Sequence, residues 1–153
     1  MQARMTNPAY VLPGAMKGIG TIFQAIGEGG LSQEVAEIVG LRASQINGCS
    51  ACVHGHVLNM RKAGASEERI AAVAAWREAP FFSDAERAAL QLTESVTRLA
   101  DRSQDAVPDA LWDEVADYFD EKELSALILT ISLTNMFNRI NATIREPAGT
   151  TWG

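Results

Sequence analysis

The sequence predicts an all-α, single-domain helical bundle. Apolar residues recur at three- and four-residue spacings along most of the chain, helix start and stop signals follow one another closely, and no stretch alternates like a half-buried strand. A length of 153 residues fits one domain, and 47% hydrophobic against 21% charged residues marks a chain able to fold around a core. The core is expected to span about residues 13–147, followed by a loose tail.

Pro13 opens a first helix to about Ile26, stopped by Gly27-Glu28-Gly29-Gly30. Ser32 caps a second helix that carries Val35, Ile38, Val39 and Ile46, and Asn47-Gly48 breaks it. A third helix runs from about Ser50 to Ala63, with Gly64 beyond its end. Ser66 caps a short fourth helix ending near Pro80. Ser83 and Glu86 have capping-box spacing and open a fifth helix to about Asp101. The turn at Val107-Pro108-Asp109 leads into a short helix with Leu111, Trp112, Val115 and Phe119. Asp120 and Glu123 form a second capping-box pattern. They open a final helix to about Arg145, whose nearly apolar stretch from Leu124 to Phe137 predicts a central, buried position. Trp76, Phe81, Phe82 and Trp112 suit core or subunit packing. Met5, Met16, Met60 and Met136 suit gaps in the core, and Asn135, Asn138 and Arg139 need buried or interfacial partners.

The charge argues against two classes of partner. With 13 basic and 19 acidic residues the net charge is −6, and no basic patch is present to displace counterions from nucleic acid or an anionic membrane. No apolar run approaches the ~20 residues that cross a bilayer. Met1 to Pro8 holds Arg4 but no apolar leader segment, so a cytoplasmic location is expected.

The two cysteines sit three apart, at Cys49 and Cys52, a pattern of redox chemistry or metal binding rather than of a secreted disulfide scaffold. At about 100° per residue, with Cys49 at zero, Cys52 lies near −60° and His56 near −20°, whereas His54 falls near 140°. Two thiols and one imidazole thus share a narrow face, and His54 is expected in solvent. A helix N-terminus stabilises a thiolate, His56 is in reach of the Cys52 proton, and the three-residue offset suits a disulfide. One thiolate can attack an electrophilic oxygen or sulfur and the other resolve the adduct. The same residues also offer three zinc ligands, to be completed by a carboxylate, or a redox-sensing pair without turnover.

The stretch from Glu37 through Cys49-Ser50-Ala51-Cys52 to His56 resembles the core motif of the alkylhydroperoxidase D-like proteins of the carboxymuconolactone decarboxylase superfamily. The shared pattern is an acidic residue twelve positions before a Cys-x-x-Cys and a histidine four positions after it. The segments Glu86–Glu94 and Thr134–Asn141 fit as well. The resemblance implies a helical fold assembled as a homo-oligomer, a trimer or hexamer. It also implies a peroxidase in which the cysteine pair reduces an alkyl hydroperoxide and becomes a disulfide. Glu37, His56, Cys49 and Cys52 are then the catalytic set, with no bound cofactor or metal and an external dithiol as reductant. By composition alone Glu37 reads as a solvated helix residue. The resemblance makes it a partly buried carboxylate acting on His56 or Cys49. The best-characterised branch has a histidine where this chain has Ala51, which leaves the implied relay one member shorter. Protein disulfide reduction is the rival activity. Cys52 is expected to attack first, although Cys49, nearer the helix end, could be the more exposed sulfur.

Overall fold

The computed structural model describes residues 2–100, 102 and 106–150, and among these the chain is helical with no strand. The elements are α1 (Pro8–Val11), α2 (Pro13–Glu28), α3 (Gln33–Asn47), α4 (Ser50–Lys62), α5 (Glu67–Ala72), a 3-10 turn (Val73–Glu78), α6 (Asp84–Thr97), α7 (Asp109–Ala116) and α8 (Glu121–Ile144). The all-α expectation holds.

Helix starts follow from local side-chain chemistry. The hydroxyls of Ser32 and Ser66 accept the backbone N–H groups of Val35 and Arg69, each at 3.2 Å. Both capping boxes close: Ser83 accepts from the Glu86 N–H while Glu86 accepts from the Ser83 N–H, and Asp120 and Glu123 do the same. Each such cap contributes ~1 kcal/mol. Gly48 and Gly64 take left-handed backbone at φ 66° and 86°, which ends α3 and α4 at the glycines.

Packing then places α3 at the centre, against α4, α6 and α8. Ile38, Val39 and Leu41 of α3 meet Leu90 and Leu92 of α6, Val115 of α7 and Leu127 and Ile131 of α8, all essentially inaccessible to water. Burying each such side chain stabilises the fold by ~1.5–3 kcal/mol.

A charged cluster fastens the same elements. Glu94 accepts from Arg42 Nε at 2.7 Å, Trp76 Nε1 at 3.0 Å, Arg77 Nη1 at 2.8 Å and Arg98 Nη1 at 3.1 Å. Burial pushes its carboxyl upward, but the bonds from Trp76, Arg77 and Arg42 outweigh this and hold it at about 2. A carboxyl lowered in the fold contributes stability that is complete above its ordinary value, near 4.5, and is lost as pH falls toward 2. The urea midpoint is therefore expected to drop between pH 5 and 2. Glu94→Gln should flatten that drop and cost about 3 kcal/mol at pH 7, because three guanidiniums lose their carboxylate. Parallel pH profiles for variant and wild type would refute this.

Several expectations need correction. The single turn α1 is absent from the sequence reading; it is too short to show a period and rests on Asn7, whose side chain accepts from the Ala9 N–H at 3.0 Å. The fourth helix is α-helical only over Glu67–Ala72 and continues as the 3-10 turn Val73–Glu78, itself interrupted at Ala75 with φ −125°. The fifth ends at Thr97 rather than near Asp101, which lies outside the described residues, and Leu99 beyond it is half exposed. Met5 is half exposed, not a core residue. Phe81 and Trp112 are also exposed on this chain, because Phe82 and the pair Leu111 and Val115 are the residues that turn inward. Leu129 leaves one flank of α8 in solvent. Of the expected tail, residues 148–150 follow a turn on which Thr150 Oγ1 bonds the Pro147 carbonyl at 2.9 Å, and residues 151–153 lie outside the description.

Candidate active site

The site is built where α3 hands over to α4. Gly48 reverses the chain, and Cys49 follows in extended backbone (φ −83°, ψ 96°) as the N-cap of α4. Its Sγ accepts the Cys52 N–H at 3.4 Å. Cys49 thus stands outside the helix rather than on its wheel. Cys49 and Cys52 are joined as a disulfide, with Cα atoms 5.4 Å apart. Cys49 is 2% exposed and Cys52 is partly exposed, so the alternative that Cys49, nearer the helix end, is the more exposed sulfur does not hold.

One turn further along α4, His56 is partly exposed and His54 lies in solvent. Glu37, on α3, faces His56: its Oε2 lies 2.8 Å from His56 Nδ1, and its Oε1 accepts from Asn59 Nδ2 at 3.1 Å. A carboxylate at Nδ1 selects the tautomer with the proton there, which leaves Nε2 as the basic nitrogen. Gly40, one turn after Glu37, makes the pairing sterically possible. A Cβ at that position would run into the imidazole of His56.

The other end of the site comes from α8. Asn141 Nδ2 lies 3.3 Å from Cys52 Sγ, and its Oδ1 accepts from Asn7 Nδ2 at 3.3 Å. Asn47 donates to Asn135 and Asn138, Asn138 to Ser44, and Asn135 to Thr97, which locks α8 onto α3 and α6. Arg139 is exposed and bonds within its own helix to Asn135. These residues set the register of α8.

Cys52, His56 and Asn59 open onto a cavity of about 380 Å³. Its far wall is apolar: Met16, Ile19 and Phe23 of α2, with Phe137 of α8 stacked on Phe23 at a centroid distance of 6.1 Å. Sequence reasoning gave no role to Gly40, Asn59 or Asn141. Asn59 follows His56 by three and so shares its helix face, a signal that was present but unspecific. Among the described residues, no group of three or more His, Cys, Asp or Glu side chains is gathered so as to hold a metal ion.

Residues 13–95 match the carboxymuconolactone decarboxylase family, a span that includes Glu37, both cysteines and His56. The chain belongs to that family. It is 34% identical over 131 residues to the uncharacterized protein YdfG of Bacillus subtilis, covering 86% of this chain and 87% of the relative. A second relative by sequence is the uncharacterized protein YnjA of Escherichia coli, 34% identical over 118 residues, with 77% of this chain matched to 63% of that one. Among solved structures, the chain is similar to a protein of unknown function from Agrobacterium tumefaciens, described as a candidate antioxidant defence protein AhpD. That pair has 31% identity and a TM-score of 0.87 over 98% of this chain and 100% of the other. The debrominase Bmp8 shares the fold at 20% identity, with a TM-score of 0.77 over 90% of this chain and 73% of that one.

Proposed function

We propose that the protein is a thiol-dependent peroxidase that reduces alkyl hydroperoxides through a dithiol/disulfide cycle at Cys49 and Cys52. One observation carries the reading: a carboxylate-held histidine, Glu37–His56, opens with Cys52 onto the same apolar cavity. Membership of a family named for an enzyme and likeness to the Agrobacterium protein support it. The apolar wall suits the organic part of an alkyl hydroperoxide better than hydrogen peroxide, which has nothing to bury.

In the reduced protein, His56 Nε2 takes the Cys52 proton while Glu37 holds Nδ1–H and stabilises the imidazolium. The Cys52 thiolate attacks the terminal oxygen of ROOH. The O–O bond breaks, the sulfur becomes a sulfenic acid, and the departing alkoxide takes a proton from His56 to leave as ROH. Cys49 then attacks the Cys52 sulfur, forming the disulfide and releasing water. Asn141 Nδ2, already aimed at Cys52 Sγ, steadies negative charge there. An external dithiol returns the two electrons, and the homo-oligomer implied by the family likeness is the expected working form.

Intact-mass measurement tests the reading. Fully reduced protein given one equivalent of an alkyl hydroperoxide should lose two hydrogens within seconds and yield one equivalent of alcohol. Thiols that stay titratable after minutes would remove the peroxidase reading and leave disulfide exchange as the activity.

A further inference from the structure

We propose that the reducing thiol docks on the Cys49 side of the disulfide, that Arg145 favours a thiol carrying an anionic group, and that Cys49 is the sulfur attacked. The proposal rests on the dithiol/disulfide cycle above and concerns only its reductive half.

The two cysteines line different cavities. Cys52 but not Cys49 lines the apolar one with His56. Cys49 but not Cys52 lines a second, of about 520 Å³, with Gly48, Ser50, Asn141, Arg145 and Glu146. Only Asn141 of α8 faces both. Displacement at a disulfide sulfur proceeds in line, with the entering thiolate opposite the departing one. A thiolate arriving through the second cavity therefore meets Cys49 and expels Cys52, while the hydroperoxide keeps the first cavity to itself. Cys49 is 2% exposed, so a thiol has to enter this cavity fully to meet it.

Arg145 supplies the selectivity. It sits at the C-cap of α8 with φ 55° and ψ 47°, the one non-glycine residue of positive φ among those described. Helices favour glycine or asparagine in such left-handed closing positions, and the cation of Arg145 also suits the negative end of the α8 dipole. Its guanidinium makes no hydrogen bond or ion pair among the described residues, unlike those of Arg42, Arg69, Arg87 and Arg139. Glu146 lines the same cavity and forms no ion pair with it, and the remaining lining residues are uncharged. A guanidinium that leaves its neighbour Glu146 unpaired remains open to an entering anion such as a carboxylate or sulfonate.

The steps balance. The thiolate RS⁻ forms a bond to Cys49 Sγ as the Cys49–Cys52 bond breaks, and the Cys52 thiolate departs toward Asn141 Nδ2 and His56. A second thiolate, the other sulfur of a dithiol or a second RSH, attacks the R sulfur of the mixed disulfide, giving the oxidised reductant (RSSR) and the Cys49 thiolate. Two electrons pass to the protein, and the protons of two RSH end on Cys49 and Cys52.

The test starts from wild-type protein oxidised with diamide and follows its reduction by 2-mercaptoethanesulfonate, 2-mercaptoethanol and cysteamine at matched thiolate concentration and low salt. The sulfonate should lead the neutral thiol by about five- to tenfold and the ammonium thiol by more, as attraction to a single exposed charge allows. Arg145→Asn, which tolerates the left-handed turn, should bring the three within about twofold of one another. Arg61→Gln, which removes an equal charge on the outer face of α4, should keep the preference. Acid-quenched partial reactions should carry the mixed disulfide on Cys49. Equal rates in the wild type, a preference that survives Arg145→Asn, or an adduct on Cys52 would each overturn the assignment. Because no hydroperoxide is used, these outcomes are independent of the peroxidase reading. If peroxide fails to oxidise the dithiol while the charge preference holds, the docking site stands and the peroxidase falls.

Discussion

Replacing Cys52 with serine is expected to abolish hydroperoxide consumption, whereas Cys49→Ser should consume one equivalent and stop. The difference follows from where the sulfurs face. Cys52 shares its cavity with His56 and receives the Asn141 N–H, while Cys49 is nearly buried on the other side as the cap of α4. A hydroxyl at position 52 lacks the acidity and the nucleophilicity of a thiol, so the oxygen transfer should fall to the uncatalysed rate of an isolated thiol, on the order of 10³-fold or more. Without Cys49 the first step survives and its product persists, so a sulfenate-specific reagent should label the Cys49→Ser protein at Cys52. Labelling only in Cys52→Ser protein would exchange the two roles. Hydroperoxide consumption and the label should be read on the same samples, since a stable sulfenic acid with no consumption would indicate oxidation by air.

The legible parts of this chain are those whose causes lie within a few residues. Ser83 with Glu86, and Asp120 with Glu123, close their helix starts through bonds spanning three residues, and Gly48 and Gly64 end helices by their own backbone freedom. What depends on a second element is harder to read. Treating Cys49 as a helix residue put it on a wheel it does not join, because the start of α4 depends on the turn at Gly48. Glu37 has no local mark as a site residue; its partner lies nineteen positions on, across the α3–α4 contact, and only the family likeness singled it out. Asn141 reaches Cys52 across eighty-nine positions, through the register of α8. Trp112 and Met5 show the same limit from the other side. An apolar residue on a helix or near a terminus is buried only as far as a neighbour covers it, and among the described residues these two stay about half exposed.

Gly40 is the position where these long-range demands meet, and Gly40→Ala is expected to act against the usual rule. In an ordinary helix interior this change stabilises by ~1 kcal/mol, since glycine has more freedom to lose on folding. Here the added methyl occupies space held by the His56 imidazole. The ring must rotate away from α3, which breaks its bond to Glu37 Oε2 and leaves that oxygen half-buried without its donor. Stability should fall by about 1–3 kcal/mol, the cost of an unmet hydrogen bond together with overpacking. The rate of disulfide formation with an alkyl hydroperoxide should fall about 10²-fold, as when a positioned base is lost. The cause can be isolated by a double-mutant cycle with His56→Ala, which removes the ring and makes room. In that background Gly40→Ala should be neutral or stabilising by urea melt, and the rate, already low, should not fall again. Additive losses in the cycle would mean that the glycine serves the helix contact itself and not the histidine. Glu37→Gln provides the complementary comparison. It keeps the size of the side chain and a hydrogen-bonding group near Nδ1 but removes the charge, so it should lower the rate at little cost in stability, whereas Gly40→Ala lowers both.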